Sequence, residues 1–148
     1  MNFGFREEQD LLRGEVRRFL DERCPIAEVR RLSETPTGYC EKLWKDMAGL
    51  GWLGLTIPET YGGAGLGWVD LVVVLEEMGR SLFPSPFLAN TLAATALVEF
   101  GSAAQKQRWL PNLATGDCIG TLALLEEGDV ISAEGTKLRG VPAGDVSY

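Results

Sequence analysis

The chain has 148 residues, enough for one domain with a substantial buried core, and its 45% hydrophobic and 24% charged residues are ordinary for a globular protein. Its net charge of −7 argues against a nucleic-acid surface, which needs clustered lysine and arginine. The absence of histidine excludes Ser-His-Asp and Cys-His hydrolysis and any histidine acid–base step within the chain.

Basic residues do concentrate in the first third of the chain, at Arg13, Arg17, Arg18, Arg23, Arg30 and Arg31. Acidic residues interleave with these arginines, so a solvated helix face fits the pattern better than a phosphate-binding surface. We therefore expect no nucleic-acid partner.

The three cysteines, Cys24, Cys40 and Cys118, are widely spaced and form no C-x-x-C pair. With no histidine in the chain, this argues against a metal site and against a disulfide framework, and it fits a reducing cytoplasm. The strongest apolar run, Leu71 to Leu75, is far too short to cross a bilayer, and acidic residues near the start do not fit a signal peptide. We therefore expect a cytoplasmic protein without a metal and without membrane contact.

The first three helices are predicted from apolar residues at helical spacing. The first covers Phe5 to Arg23, and Pro25 ends it and opens the second. The third begins near Tyr39 and ends at a capping glycine, Gly51. Their expected inner faces carry Phe5, Leu11, Leu12, Val16, Phe19 and Leu20, then Ile26, Val29 and Leu32, then Leu43, Trp44, Met47 and Leu50.

A fourth helix is predicted from Asp70 to Leu82, and it is apolar nearly all round, which is typical of a helix in the middle of a bundle. Its valines leave a strand over Val69 to Leu75 open. Glu76, Glu77 and Met78 extend the run beyond strand length, which favours the helix.

Two more helices follow. The fifth covers Leu88 to Phe100, with Leu92, Ala96 and Phe100 on the expected inner face, and Gly101 ends it. A capping box of Ser102 and Gln105 begins the sixth, which stops near Gly116.

The helical period is lost after Gly116. Ile119 to Leu124, Thr136 to Arg139 and Val146 to Tyr148 read as strands or strand fragments. We predict a mainly α fold, with a bundle of about six helices over 1–116 and a short, incomplete β segment over 117–148. The residues expected to be buried in the bundle are Trp44, Val73, Leu75, Leu92 and Leu110.

A glycine-rich loop lies between the third and fourth helices, from Gly62 to Gly67. Its G-x-G-x-G spacing can be read as a phosphate cradle, but the dinucleotide fingerprint needs a preceding strand, and a P-loop needs a following lysine. Here a helix and Pro58 precede the loop. The spacing therefore favours a purely structural crossing, with glycines in turns and Tyr61 packed against the bundle.

Four segments, in order, resemble the N-terminal region of the acyl-CoA dehydrogenases. They are Glu7 to Leu20, Leu43 to Leu55, Ile57 to Arg80 (the PE-x-YGG-x-G-L and L-E-E-x-G-R motifs) and Phe100 to Gly116 (the F-G-x-x-x-Q-K-x-x-W-L-P-x-L-A-x-G motif). The resemblance covers most of the chain. It implies an N-terminal helical domain that precedes a β-domain and a second helical bundle.

The resemblance also implies the chemistry of the family, which is α,β-dehydrogenation of an acyl-CoA thioester with FAD as hydride acceptor. The family's glutamate base lies on the C-terminal bundle, so Glu76 and Glu77 are interpreted as helix-surface residues that pair with Arg80. Flavin contacts map to Leu122, Leu124 and Leu125. Leu125 and Glu127 stand where the family's T-E-P motif has threonine and proline, so we do not expect this chain alone to hold FAD.

The fifth helix corresponds to the helix that lines the family's acyl pocket. The resemblance assigns substrate binding to Leu88, Asn90, Thr91, Leu92 and Thr95. Small and apolar side chains mixed with isolated hydroxyls suit a pocket wall, and they suit ordinary helix packing equally well.

Two functions follow as hypotheses. The first is the N-terminal portion of an acyl-CoA dehydrogenase, an oxidoreductase acting on CH–CH groups. It would be inactive alone and complete only as a homo-oligomer or as a hetero-oligomer with another subunit of the family. The second is a non-catalytic helical module of the same descent that serves assembly. In either case the unpaired strand edges of the tail favour disorder or pairing with a second copy.

Overall fold

The computed structural model describes residues 4–123, 126, 132 and 135–139. Within them the chain forms six α-helices, two short 3-10 turns and no β-strand. The elements are α1 (Glu7–Arg23), α2 (Ile26–Ser33), α3 (Glu41–Gly49), the turns Trp52–Gly54 and Glu59–Tyr61, α4 (Trp68–Arg80), α5 (Phe87–Phe100) and α6 (Ala103–Ala114). The predicted mainly helical bundle is confirmed, and the region Val69 to Leu75 is helical.

The strand predictions fare differently. Residues 119–123 and 136–139 belong to no strand in the described part of the chain, because no described segment pairs with them. The predicted strand fragment Val146 to Tyr148 lies outside the described residues.

Local signals explain several helix ends. Ser102 Oγ accepts a hydrogen bond from the Gln105 amide at 3.3 Å, and Gln105 Oε1 accepts one from the Ser102 amide at 2.8 Å, so the predicted capping box is present. Gly51 follows α3 with φ of 76°, the left-handed conformation in which glycine commonly terminates helices.

The main core lies where α1, α3 and α4 meet the Trp52–Gly54 turn. It contains Val16, Leu20, Trp44, Met47, Trp52, Leu53, Leu55, Leu71, Val74, Met78 and Phe87. A smaller cluster, which includes Ala94 and Leu110, joins α5 to α6. The predicted burial of Trp44, Val73 and Leu110 is confirmed.

Some residues predicted to face inward are less buried than expected. Leu75 is half-buried and packs against the main core, and Leu92 is 37% exposed. Four residues assigned to inner faces are exposed in the same way, namely Phe5, Leu11, Ile26 and Leu50. α4 does not lie in the middle of the described bundle, since Trp68, Val69 and Val72 on one side of it are exposed. Apolar character alone does not distinguish a core face from a face left open.

A buried carboxylate joins α4 to α1. Glu77 is 1% exposed, and its oxygens accept hydrogen bonds from Arg17 (2.7 and 2.9 Å), Arg80 (2.8 Å) and Arg13 (3.2 Å). The hydrogen bond from Arg17, with those from Arg80 and Arg13, lowers the pKa of Glu77 to about 2, although burial opposes the shift.

The predicted Glu77–Arg80 pair is therefore present, but the prediction that Glu77 lies on the surface is wrong. Arg13 and Arg17 likewise form ion pairs with this buried carboxylate, so they do not belong to a purely solvated helix face. Glu76 is half-exposed and pairs with Arg13 at 2.7 Å. A residue pair about 60 positions apart leaves no periodic trace in the sequence.

A second polar contact joins the same two helices at their N-terminal ends. The buried Asp70 carboxylate accepts hydrogen bonds from Gln9 Nε2 (2.9 Å), Arg6 (3.1 Å) and the Gly67 amide (3.0 Å). The hydrogen bond from Gln9 is the largest cause that lowers the pKa of Asp70. Both ends of α4 are thus fixed to α1 by charge-assisted hydrogen bonds.

The glycine-rich loop is a tightly hydrogen-bonded crossing. Its amides are used internally, since Ala64, Gly65 and Leu66 donate to the carbonyls of Gly54, Ile57 and Leu55 at 2.7 to 2.9 Å. A Cβ at Gly63 would lie 2.0 Å from the Ile57 carbonyl oxygen, so only glycine fits there. Tyr61 packs against the α5–α6 cluster as predicted. With these amides occupied, the geometry favours the structural interpretation over a phosphate cradle.

Candidate functional site

The helix α5 presents two faces of different character. Its buried face carries Phe87, Asn90, Thr91, Ala93 and Ala94 against the rest of the bundle. Its other face is open, with Leu88 51% exposed, Leu92 37% exposed and Phe100 87% exposed, and the exposed Glu99 lies at the end of the same face. The site residues predicted on this helix therefore fall into two groups.

Leu88, Leu92 and Thr95 share the open face, because their spacing of four and three residues places them on one side of a helix. Thr95 is half-buried, and its hydroxyl donates to the Thr91 carbonyl at 2.8 Å. This group is apolar except for one hydroxyl, whose proton is already used within the helix.

Asn90 and Thr91 lie on the buried face, at 0% and 5% exposure. The Thr91 hydroxyl donates to the Phe87 carbonyl at 2.9 Å. Asn90 Nδ2 donates to the Leu113 carbonyl at 3.3 Å, and Asn90 Oδ1 accepts from the Gly120 amide at 3.0 Å. The structure thus separates these two residues from Leu88, Leu92 and Thr95.

A groove of about 530 Å³ runs beside the C-terminal half of α5. Its lining is mostly apolar and comes from α5, α6 and the segment that follows α6: Ala93, Ala96, Leu97, Phe100, Gly101, Gln105, Trp109, Leu113, Cys118, Ile119, Gly120, Thr121 and Leu122. This volume is in the range of small-molecule sites. None of the described lining residues is charged.

Of the predicted site residues, Leu122 alone lines this groove among those that the structure describes. The sequence prediction missed the aromatic walls, because Phe100 was placed on the inner face and Trp109 in the helix packing. The capping box was a signal for this placement. It starts α6 directly after Gly101, so Phe100 is the last residue of α5 and lies beside the start of α6.

A smaller recess of about 220 Å³ lies where α4 meets the start of α5. Leu75, Met78 and Gly79 of α4 line one side, and Phe87 and Leu88 line the other. Leu88 therefore belongs to a concave apolar surface in this structure.

The predicted flavin-contact segment is described only at Leu122. In the described part of the chain, the backbone groups of residues 121–123 have no hydrogen-bond partner. No basic residue lines the groove within the described part of the chain. Leu124 and Leu125 lie outside the described residues.

Reactive groups near the groove are few. Burial is the largest cause that raises the pKa of Cys118, so its thiol stays protonated at neutral pH. No described carboxylate lines the groove. Glu77 lies between α4 and α1, where three arginines bind its carboxylate. The described residues therefore provide an apolar surface and backbone groups but no base.

Two further features bear on the kind of protein this is. None of the helices in the described part of the chain is both long and apolar enough to span a bilayer. The same residues contain no cluster of histidine, cysteine or carboxylate side chains able to hold a metal ion.

Comparison with known proteins connects this geometry to a family. The family model for the acyl-CoA dehydrogenase N-terminal domain matches residues 6–117. Mitochondrial isovaleryl-CoA dehydrogenase of Pongo abelii is 39% identical over 137 residues, covering 87% of this chain and 32% of that protein. The chain spans about a third of the length of the curated relatives it matches first, 32% and 34%.

Solved structures agree with the sequence comparison. A chain of the ChsE4–ChsE5 complex from Mycobacterium tuberculosis superposes with a TM-score of 0.79 at 32% identity, covering 88% of this chain and 36% of that one. An acyl-CoA dehydrogenase complexed with FAD from Bacillus anthracis superposes with a TM-score of 0.75 at 30% identity, covering 90% and 23%.

The described bundle is thus of the class of helical domains that begin flavoprotein dehydrogenases. The chain belongs to the acyl-CoA dehydrogenase family, and residues 6–117 are its N-terminal domain.

Proposed function

We propose that this chain is the N-terminal portion of an FAD-dependent acyl-CoA dehydrogenase, which oxidises the α,β bond of an acyl-CoA thioester. The observation that carries the proposal is the open apolar face of α5, on a domain whose family membership is established. Leu88 and Leu92 are exposed next to each other on this face, which fits a surface completed by another part of the enzyme.

On this proposal, Leu88, Leu92 and Thr95 form one wall of the acyl pocket, since they share the open face of α5. Asn90 and Thr91, also predicted to contact substrate, would lie behind that wall. The boundary between the helical domain and the following β-domain would fall near Gly116, two residues beyond the end of α6.

Leu122, with Leu124 and Leu125, would lie along the flavin. When bound, FAD supplies the hydride acceptor that no amino-acid side chain provides. The described residues hold no base in position for the α-proton. We therefore infer that the chain alone neither retains FAD nor turns over substrate.

The proposal extends to assembly and location. One structurally similar chain comes from the ChsE4–ChsE5 complex of Mycobacterium tuberculosis, which supports a hetero-oligomer or a homo-oligomer for this chain too. A cytoplasmic location is consistent with the finding that no described helix is able to span a membrane.

The test uses the complete enzyme, in which this chain is joined by its following domains or partner subunit. Acyl-CoA-dependent reduction of a dye is measured for the wild type and for Leu92→Trp, which adds bulk to the open face of α5. We expect about a tenfold higher KM or more, because a filled pocket wall loses several methylene contacts. The matched control is Leu11→Trp, since Leu11 is 65% exposed on α1.

An equal effect of both variants would contradict the pocket assignment. A complete assembly without acyl-CoA-dependent activity would favour the non-catalytic assembly module instead.

A further inference from the structure

The segment after α6 is fixed to the bundle at two points. At the first, Trp44 Nε1 and Lys45 Nζ both donate to the Gly116 carbonyl, at 3.1 and 3.0 Å. Beside it, Lys45 Nζ donates to Asp117 Oδ1 at 2.7 Å, and the amides of Asp117 and Cys118 donate to the Asn112 carbonyl of α6 at 2.9 and 3.2 Å. At the second, the Gly120 amide donates to Asn90 Oδ1 at 3.0 Å. Residues 121–123 follow, and their backbone groups have no hydrogen-bond partner in the described part of the chain.

At the second point, the segment packs closely against α5. Asn90 is 0% exposed, and the other end of its amide is fixed by the Leu113 carbonyl of α6. A Cβ at Gly120 would lie 2.6 Å from the Ala93 Cβ, so the segment approaches α5 as closely as glycine allows. One side chain of α5 thereby sets the distance of the segment from both helices.

We infer that Asn90 is a positioning residue for the flavin-facing segment, acting through the Gly120 amide rather than by contact with substrate. Leu122 lies two residues beyond that amide and lines the groove. Loss of the hydrogen bond between the Gly120 amide and Asn90 frees the segment at its last described hydrogen bond to the bundle and moves the wall that meets the cofactor. The identity of the ligand in this inference rests on the proposed function, whereas the hydrogen bonds that Asn90 forms with Gly120 and Leu113 do not.

The alternative is that Asn90 serves stability alone, as any satisfied buried amide does. The neighbouring buried Thr91 supplies a matched control, because Thr91→Val removes a hydrogen bond within α5 and leaves Gly120 untouched. Asn90→Leu removes both ends of the bridge. Asn90→Asp, as the neutral acid that full burial favours, keeps an acceptor for the Gly120 amide and a donor for the Leu113 carbonyl.

The first measurement is amide hydrogen exchange of the full 148-residue chain by NMR. We expect Gly120 to be protected in the wild type, in Thr91→Val and in Asn90→Asp, and to exchange about tenfold faster or more in Asn90→Leu. Unchanged Gly120 exchange in Asn90→Leu would overturn the inference. Should Asn90→Leu fail to fold, Gly120→Ala tests the same contact from the other side, because it forces the segment away from Ala93.

The second measurement is FAD affinity in the complete enzyme, by fluorescence titration. We expect Asn90→Leu or Gly120→Ala to weaken FAD binding about tenfold while the KM for acyl-CoA changes little, with Asn90→Asp closer to the wild type. Equal weakening by Thr91→Val would mean a stability effect and would overturn the positioning role. A wild-type assembly that takes up no FAD would instead overturn the proposed function, and the exchange measurement would still decide the bridge.

Discussion

Single residues show why the α1–α4 contact was only half predictable. The L-E-E-x-G-R pattern predicts the Glu77–Arg80 pair, because residues three apart are neighbours on a helix. It contains no sign of Arg13 and Arg17, which reach Glu77 from α1. Helical period sorts residues by face, but it does not say which polar residue will be buried opposite a distant partner.

Glu77 yields the clearest prediction at this scale. Glu77→Gln removes the charge that three arginines surround, so we expect it to destabilise the chain at neutral pH by about 3 kcal/mol. The control Glu76→Gln changes a half-exposed neighbour and is expected to cost less than about 0.5 kcal/mol. Urea unfolding of both variants measures the difference.

The same variant predicts a pH dependence. The pKa of Glu77 is about 2 in the folded chain and close to 4.5 when unfolded, so the stabilisation is complete above 4.5 and is lost as the pH falls towards 2. The gap between the wild type and Glu77→Gln should therefore narrow as the pH falls from 5 to about 2.5. A gap that stays constant over this range would show that the charge of Glu77 does not stabilise the fold.

Among the elements, α5 was predicted correctly in extent and wrongly in orientation. The expected inner residues Leu92, Ala96 and Phe100 are not the buried set, which includes the polar Asn90 and Thr91. The physical reason is that α5 is apolar nearly all round, so spacing alone does not identify its buried face. A face that meets another part of a larger protein has the same composition as a face that meets the core.

This orientation is testable with two phenylalanines on one helix. Phe87 is 2% exposed and Phe100 is 87% exposed. Phe87→Ala should cost about 3 to 5 kcal/mol because it leaves a cavity in the main core. Phe100→Ala should cost less than about 0.5 kcal/mol. Thermal or urea unfolding decides the point, and similar losses for both variants would mean that Phe100 is buried in solution.

At the scale of the whole chain, the sequence predicted the helical bundle better than it predicted any functional site. Helix existence follows from local periods and caps, as at Ser102 and Gln105, and the structure confirms six helices in the described part. The groove depends on how α5, α6 and the following segment meet, and no local pattern encodes that meeting. The flavin-contact prediction came from resemblance, and two of its three residues lie outside the described part.

The chain spans about a third of the length of its first curated relatives. Under the proposed function, this N-terminal domain would supply one wall of the acyl pocket and one edge of the flavin site, and other parts of the protein would supply the remaining residues of the site.

The most direct test is the visible absorption spectrum of the purified chain after incubation with excess FAD and removal of the unbound flavin. The account predicts a folded, helical protein without flavin absorbance, because the described residues provide backbone groups and an apolar wall but no charged partner for the pyrophosphate. The same procedure applied to the complete enzyme should leave stoichiometric flavin bound. Stoichiometric flavin on the 148-residue chain alone would contradict the account.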